Sequence, residues 1–307
     1  MADYLKFDAY FNGVWVPYRD VMISPDDRGF MLSDAVFDVA RTFKGIPFRW
    51  EDHVERLFRS LEYLNLDPGL RKEQILEIGG EAVRRNSGYL EEVADFIISC
   101  FVTRGPGVEI MSEAGPPNVC VNVKPINCVA FAPFFESGAH GAIARTRSYP
   151  VESMDSKLKH YNRLNFVLAS IEAARIDPTA SPILLDVDGN VTEGNAFNVF
   201  VVTDGKIRTP KAISILEGVT RKVVMELAAT MGNSVIEEDI QPYDLYTADE
   251  VFFTRTTPRI IPVSQIDNRS IGDHFPGPVT EKLLAAHSDL VGVDIVDQIR
   301  TYAKKQR

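Results

Sequence analysis

The sequence contains few cysteines, and their arrangement is not typical of a disulfide framework or a zinc site. Cys100, Cys120 and Cys128 are widely spaced, and neither C-x-x-C nor H-E-x-x-H occurs. An odd number of cysteines, without histidines at ligand spacing, argues against both a disulfide framework and a structural zinc site. We therefore expect no metal ion in this protein.

Long apolar runs are also lacking. No run approaches the roughly 18 apolar residues that can span a bilayer. The first 25 residues contain neither the basic region nor the apolar region of a secretory signal. We expect a cytoplasmic protein that does not contact a membrane.

Positive charge is scarce as well. The chain has 43 acidic and 33 basic residues and a formal net charge of −10. Domains that bind nucleic acid usually carry a net positive charge or a basic stripe, so we expect no nucleic-acid partner. The one locally basic stretch, which includes Arg145, Arg147, Lys157 and Lys159, suits a small anion better than a duplex.

The common fingerprints of nucleotide binding and nucleophilic catalysis are missing. Gly105-Pro106-Gly107 lacks the third glycine of a dinucleotide loop, and neither a P-loop nor G-x-S-x-G occurs. The segment from Asp186 to Asn190 resembles a calcium loop only weakly because its glycine comes too early. A hairpin turn on Asp188-Gly189 is the better interpretation.

The organisation of the chain favours two domains, as expected for 307 residues. The patterns predict a small N-terminal α+β domain over 1–130, an irregular linker over 131–141 and a larger domain over 142–307. Asp52 followed by Glu55 is typical of a capping box at the start of a helix. The periodic patterns predict a hairpin over 10–17, strands over 35–43, 96–103, 119–123 and 142–146, helices over 71–86 and 162–176, a hairpin over 183–202 and a helix that opens at Gly218.

Two polar segments contain groups suited to covalent and acid–base chemistry. Segment 156–164 carries Lys157 and Lys159 directly before an apolar helix. A partly desolvated lysine there has a lowered pKa and can form a Schiff base. Segment 191–200 places Glu193 in an otherwise neutral, strand-forming run. Taken alone, each lysine is either a candidate for the Schiff base or an ordinary surface residue, and the two are equally good candidates. Taken alone, Glu193 is explained as a residue of a turn.

Two further segments are suited to phosphate. Segment 216–221 opens a helix with Gly218 and Thr220, and free backbone N–H groups at a helix start bind phosphate without side-chain charge. Segment 253–258 ends a strand with three threonines, among them Thr256. Each segment alone is also explained by a plain helix start or a turn.

Together the four segments form the series Lys, Thr-Glu-Gly, Gly-Val-Thr-Arg and Thr-Thr at gaps of about 35, 27 and 36 residues. This series resembles the class IV aminotransferases, the pyridoxal-phosphate family of fold type IV. The family includes branched-chain and D-amino-acid aminotransferases, (R)-selective amine transaminases and aminodeoxychorismate lyase. The resemblance extends from Phe11-Asn12-Gly13 to Gly277-Pro278-Val279-Thr280, which is nearly the whole chain.

The resemblance implies a fold, a cofactor and an assembly. The fold is α+β, with a small α/β sandwich domain and a larger domain of helices around a β-barrel-like core. The cofactor is pyridoxal 5′-phosphate, and the assembly is a homodimer.

The resemblance also implies roles for individual residues. Lys159 matches the lysine that forms the Schiff base with the cofactor, because Asn162-x-Leu164 sets the register of the motif. Glu193 matches the acid that pairs with the pyridine nitrogen and keeps the ring protonated. Arg56 matches the arginine that contacts the cofactor phosphate. The remaining implied cofactor contacts are Asn198, Val219, Thr220 and Thr256.

The implied reaction is a ping-pong transamination. An amino donor displaces Lys159 from the cofactor, and the released amine moves a proton between the substrate α-carbon and the cofactor. A 2-oxo acid of the pyruvate or 2-oxoglutarate type then accepts the amino group.

The substrate pocket is less well defined by the sequence. Phe37-Asp38-Val39 departs from the Phe-Glu-Gly of branched-chain enzymes, whereas Thr103-Arg104-Gly105 matches the D-amino-acid and (R)-amine branches. We therefore expect Arg104 on a mobile loop, paired with the substrate carboxylate. This slightly favours a D-amino-acid or (R)-amine pocket over one for branched-chain L-amino acids. The expected substrate contacts are Phe37, Val39, Ile97, Arg104 and Thr257.

Two alternatives remain open at this point. Arg41 is either an inner-strand charge or a second carboxylate contact. The phrase Lys159-His160-x-Asn162-Arg163-Leu164 also resembles the lyase branch, so a pyridoxal-phosphate lyase of the aminodeoxychorismate type is the alternative function.

Overall fold

The computed structural model describes residues 3–107 and 114–306. The chain divides into two compact units, the first formed by Met1–Ile126 with Leu158–Asn162 and the second by Asn127–Lys157 with Arg163–Arg307. The fold is α+β, and each unit is built around its own sheet.

The first unit contains a six-stranded antiparallel sheet in the order β2-β1-β6-β5-β3-β4. Helices α2 and α3 pack against it. Its elements are β1 (Asp8–Phe11), β2 (Val14–Pro17), α1 (Arg28–Leu32), β3 (Ala35–Phe43), β4 (Ile46–Phe48), α2 (Trp50–Tyr63), α3 (Lys72–Arg85), β5 (Phe96–Thr103) and β6 (Asn118–Pro125), with short 3-10 helices at Tyr4–Lys6, Tyr18–Asp20 and Ser87–Tyr89.

Local signals explain much of this unit. Asn12 and Gly13 both have positive φ, at 50° and 92°, as the tight turn between β1 and β2 requires. The predicted strands 35–43 and 96–103 are confirmed as β3 and β5, and helix 71–86 is confirmed as α3.

The predicted capping box at Asp52 is wrong. Helix α2 begins at Trp50 after Arg49, which has a φ of +53° and makes no side-chain cap. Trp50 is buried, and a Cβ at Gly79 of α3 would overlap its indole ring. The close packing of Trp50 against α3 therefore sets the start of α2. Asp52 lies inside the first turn, where its negative charge interacts favourably with the helix dipole.

The second unit is built on a nine-stranded mixed sheet. Strand β9 pairs with both β8 and β10, so that six strands, in the order β10-β13-β14-β7-β8-β9, close into a barrel. The elements are α4 (Cys128–Glu136), β7 (Ala139–Arg147), α5 (Leu164–Ala173), β8 (Ser181–Leu185), β9 (Val191–Gly194), β10 (Phe197–Thr203), β11 (Lys206–Pro210), α6 (Val219–Thr230), β12 (Val235–Glu238), α7 (Pro242–Tyr246), β13 (Glu250–Arg255), β14 (Arg259–Ile266), β15 (Arg269–Ser270), α8 (Pro278–Val291) and α9 (Ile295–Gln306).

The segment 131–141 differs from the irregular linker that its sequence predicts. It contains the end of α4 and the start of β7. Phe131, Ala132 and Phe135 are buried, and Arg300 of α9 donates to the Phe135 carbonyl at 2.6 Å. Packing against α9 therefore stabilises a helix in spite of Pro133 within it.

Within residues 3–107 and 114–306, no helix has the length and apolar character needed to cross a membrane. The same ranges contain no cluster of three or more His, Cys, Asp or Glu side chains placed to hold a metal ion.

Candidate active site

Lys159 lies beside β3 in the first unit. Its carbonyl accepts from Phe37 N at 3.0 Å, and two residues later Tyr161 N donates to Ala35 O at 3.2 Å. Its own N–H donates to Ser60 Oγ of α2 at 3.2 Å. These backbone bonds fix the segment on the sheet, and they leave Lys159 Nζ 4.6 Å from the centroid of the Phe37 ring.

Lys157 has different surroundings. It is exposed, and its Nζ lies 3.2 Å from Asp155 Oδ2. Lys159 is half-buried, and its Nζ lies against the face of an aromatic ring. The two lysines, equivalent in the sequence, are therefore distinct in the structure.

A buried ion pair holds Arg56 in place. Arg56 Nε and Nη2 donate to the two carboxylate oxygens of Asp38, both at 2.8 Å, and His53 Nδ1 lies 2.7 Å from Asp38 Oδ1. Burial alone would raise the pKa of Asp38, but Arg56 and His53 hold that pKa well below its usual range. Asp38 is therefore a carboxylate that orients the guanidinium of Arg56.

Asp38 has a structural role that the sequence reasoning missed. In the sequence, Asp38 is notable only as a departure from the Phe-Glu-Gly of branched-chain enzymes. The available signal was an acid inside the apolar strand β3 together with a histidine and an arginine at helical spacing in α2. An acid in a strand that is otherwise buried needs such partners.

Arg104 is bound within the first unit. Its Nε donates to Asp34 Oδ2 at 2.5 Å, its Nη1 to Asn65 O at 3.1 Å and its Nη2 to Leu64 O at 2.8 Å. The expected contact between Arg104 and a substrate carboxylate therefore stays a prediction.

The predicted apolar contacts lie on one face of the first sheet. Phe37 and Val39 alternate on β3 and are paired with Phe101 and Ser99 of β5. Ile97 belongs to the same face, and all five side chains are half-buried. Because Lys159 Nζ lies over Phe37, this face also carries the lysine.

Arg41 lies on the same face but is fully buried. Its Cζ is 3.9 Å from the centroid of the Phe43 ring, and its Nε donates to Thr42 O at 3.1 Å. This stacking is typical of a charge held within the strand.

Glu193 lies in the second unit on β9 and is buried. Its Oε2 accepts from Asn198 Nδ2 and from Leu216 N, both at 3.1 Å. Asn198 Nδ2 also donates to Leu216 O at 3.0 Å, so Asn198 positions the carboxylate. Neutral donors hold Glu193 in a fixed orientation, as a partner for a protonated ring nitrogen requires.

Arg163 is a second residue that the sequence reasoning did not assign. Its Nη2 donates to Asn195 O at 2.5 Å, and its Cζ lies 4.0 Å from the Phe166 ring centroid. Burial lowers the pKa of Arg163, and the charge of Glu193 opposes that shift. Arg163 and Glu193 are therefore close enough for their opposite charges to attract one another.

The start of α6 fits an anion. Gly218 is the N-cap and makes no side-chain cap, and a Cβ at this position would overlap Asn198 Oδ1. The Thr220 side chain is buried, and its hydroxyl has no hydrogen-bond partner among the described residues. Val219 and Thr220 therefore offer first-turn N–H groups and a hydroxyl, which is a donor set suited to a phosphate.

Thr256 and Thr257 form the turn between β13 and β14. Arg259 Nη1 donates to the Thr256 carbonyl at 3.0 Å, which fixes the turn. Thr254, two residues earlier, pairs with Asn198 across β10 and β13 and also has a buried hydroxyl without a partner in the described ranges. Thr254 is thus a third candidate site residue that the sequence did not single out, because it is one of several threonines in this segment.

The polar groups of the second unit fit pyridoxal 5′-phosphate. The helix start with the unsatisfied Thr220 hydroxyl suits the phosphate, and the buried Glu193 carboxylate suits the pyridine nitrogen. When bound, this cofactor supplies an electron-withdrawing ring that stabilises charge developing at the substrate α-carbon.

Comparison with known proteins agrees with this chemistry. Residues 35–266 match the family model described as amino-transferase class IV. The chain is 36% identical over 299 residues to a putative branched-chain-amino-acid aminotransferase of Methanocaldococcus jannaschii, covering 94% of this chain and 99% of that protein. It is 30% identical over 284 residues to the D-alanine aminotransferase of Bacillus licheniformis, covering 90% of this chain and 94% of that protein.

A solved structure extends the similarity to the whole fold. The T.th. branched-chain amino acid aminotransferase, complexed with N-(5′-phosphopyridoxyl)-L-glutamate, matches with a TM-score of 0.82 and 29% identity. The match covers 93% of this chain and 94% of that one.

Proposed function

This chain belongs to the class IV aminotransferase family and uses pyridoxal 5′-phosphate, and we propose that it transfers the amino group between an amino acid with an aliphatic side group and a 2-oxo acid. The observation that carries the proposal is the placement of Lys159. Its Nζ lies on the same sheet face as the half-buried Phe37, Val39 and Ile97. A side group bonded to the reacting carbon would therefore meet an apolar wall.

The proposed roles are those that the class IV motifs imply. Lys159 Nζ attaches to the cofactor and, once released as a neutral amine, takes the proton from the substrate α-carbon. Glu193 pairs with the pyridine nitrogen. Arg56, the N–H groups of Val219 and Thr220, the Thr220 hydroxyl and Thr256 bind the phosphate, with Asn198 as the residue that positions Glu193.

The names of the similar proteins support a branched-chain substrate more than the D-amino-acid or (R)-amine pocket that the Thr-Arg-Gly motif favours. The similarity to a D-alanine aminotransferase makes a D-amino acid the next candidate. A half-reaction screen separates these possibilities. The purified holoenzyme is mixed with L-leucine, D-alanine or each enantiomer of 1-phenylethylamine, and the absorbance of the cofactor aldehyde form is followed.

We expect rapid loss of that absorbance with L-leucine. Loss with D-alanine or with (R)-1-phenylethylamine alone would overturn the branched-chain assignment. Release of pyruvate from aminodeoxychorismate without an amino acceptor would instead identify a lyase.

We further propose a homodimer formed through α5. Leu164, Val167, Leu168 and Ile171 follow a helical spacing and are 46% to 61% exposed, which is unusual for an apolar stripe on a monomer. Light scattering should show a dimer for the native chain and a monomer for Val167→Glu. A native monomer would refute the assignment.

A further inference from the structure

The face of the first sheet that carries Lys159 also contains a polar row. Val39 of β3 pairs with Ser99 of β5, and Ser99 pairs with Asn122 of β6. Directly paired residues of antiparallel strands point to the same side of the sheet. Ser99 and Asn122 therefore extend the wall formed by Phe37, Val39 and the residues around them.

Asn122 is the unusual member of this row. It is 2% exposed, and its Oδ1 has no hydrogen-bond partner among the described residues. Its Nδ2 makes only a weak contact, 3.7 Å from Cys120 Sγ. A buried carbonyl oxygen that is left unsatisfied keeps its full desolvation penalty. This amide therefore destabilises the free protein unless another molecule supplies the donor.

Ser99 lies between Asn122 and Val39 and is half-buried. Within the described ranges its hydroxyl has no hydrogen bond to another side chain or to the backbone. Adjacent strands are about 4.8 Å apart, so Asn122 lies about 10 Å from β3, across the strand that carries Ser99. The row is therefore within reach of the far end of an extended side group and not of its first carbon.

We propose that Ser99 and Asn122 form a polar subsite that selects substrates whose aliphatic side group ends in a hydroxyl or a carboxamide. Asn122 Oδ1 accepts a hydrogen bond, and the Ser99 hydroxyl both donates and accepts. A terminal group that can donate and accept matches this pair, whereas a terminal carboxylate has no proton for Asn122 Oδ1. The inference rests on the transaminase function and specifies its substrate class.

Isosteric amino acids provide the test. Norvaline ends in a methyl group where homoserine ends in a hydroxyl. On a longer side chain, 2-aminoheptanoate ends in a methyl group where 6-hydroxynorleucine ends in a hydroxyl. The ratio of kcat/KM for hydroxyl over methyl is measured for both pairs with the holoenzyme, using the enantiomer that the half-reaction screen selects. We expect a ratio above one that is larger for the longer pair.

Asn122→Leu keeps the approximate size of the side chain and removes the acceptor, so it should lower the ratio for the longer pair about tenfold. Because an unsatisfied group is removed, its melting temperature should not fall. Ser99→Ala, a smaller change on the neighbouring strand, should also lower the hydroxyl-over-methyl ratio for the longer pair.

Lys124→Gln is the matched control, two residues along β6 on the same face, with its Nζ 4.6 Å from the Tyr18 ring. Its ratio should equal that of the native enzyme. An unchanged ratio in both Asn122→Leu and Ser99→Ala would overturn the subsite while leaving the transaminase intact. Absence of turnover with every amino acid would instead refute the proposed function itself.

Discussion

Substitutions of Asp38 and Arg56 should have strongly non-additive effects on the stability of the first unit, because the two side chains form an ion pair. Both side chains are buried, with 0% and 5% exposure, so solvent screens the interaction little. Removing one partner of such a pair leaves an uncompensated charge and typically costs about 3–5 kcal/mol of unfolding free energy. We expect Asp38→Asn at the lower end of this range because asparagine keeps one acceptor for Arg56.

The double variant Asp38→Asn/Arg56→Met separates this coupling from the loss of packing. Neither charge is then left alone, so the cost should be smaller than the sum of the two single variants by at least about 2 kcal/mol. Urea unfolding of the cofactor-free chains, followed by circular dichroism, gives all four free energies. Additive costs would show that the two charges do not stabilise one another.

The pH dependence of the same pair has a definite sign. The pKa of Asp38 is depressed in the folded protein. Its contribution is therefore fully present above the unfolded value of about 3.9 and is lost as the pH falls through the lower folded value. Asp38→Asn should flatten the rise of stability with pH in that acidic window. An equally steep rise in the variant would contradict the assignment of Asp38 as an ionised partner.

Three substitutions test the second unit. Glu193→Gln should lower kcat about 10²-fold, because a neutral amide replaces the charged partner of the ring nitrogen; steady-state kinetics with saturating cofactor measure this, and an unchanged kcat would exclude the role. Thr220→Val should weaken binding of pyridoxal 5′-phosphate but not of pyridoxal, without loss of stability, in fluorescence titrations of both ligands. Equal weakening of both would remove the hydroxyl from the phosphate. Gly218→Ala should destabilise the chain by about 1–3 kcal/mol through overlap with Asn198, and urea unfolding with no change would show that the helix start has room for a Cβ.

Much of the fold could be predicted where local chemistry decides the structure. The hairpin around Asn12-Gly13, the bounds of β3 and β5 and the opening of α6 at Gly218 follow from turn preferences, alternating burial and helix starts. The start of α2 could not be predicted, because the packing of Trp50 on Gly79 outweighs the local cap signal at Asp52.

The residues of the candidate site divide in the same way. Lys159, Glu193 and Thr220 stand in recognisable sequence motifs. The contacts of Asp38, and the lack of a donor to Asn122 Oδ1 among the described residues, depend on other strands and helices, so the segment around each residue does not show them by itself. The surroundings of Arg104 could not be predicted either, because two of its three acceptors are carbonyls just after α2, about 40 residues away in sequence.

The most direct test of the central claim is to locate the covalent attachment of the cofactor. The holoenzyme is reduced with borohydride, digested and analysed by mass spectrometry, alongside Lys159→Ala and Lys157→Ala. We predict a pyridoxyl group on Lys159 in the native chain and in Lys157→Ala, and no labelled lysine in Lys159→Ala. A pyridoxyl group on Lys157 or on any other lysine of the native chain would contradict the account.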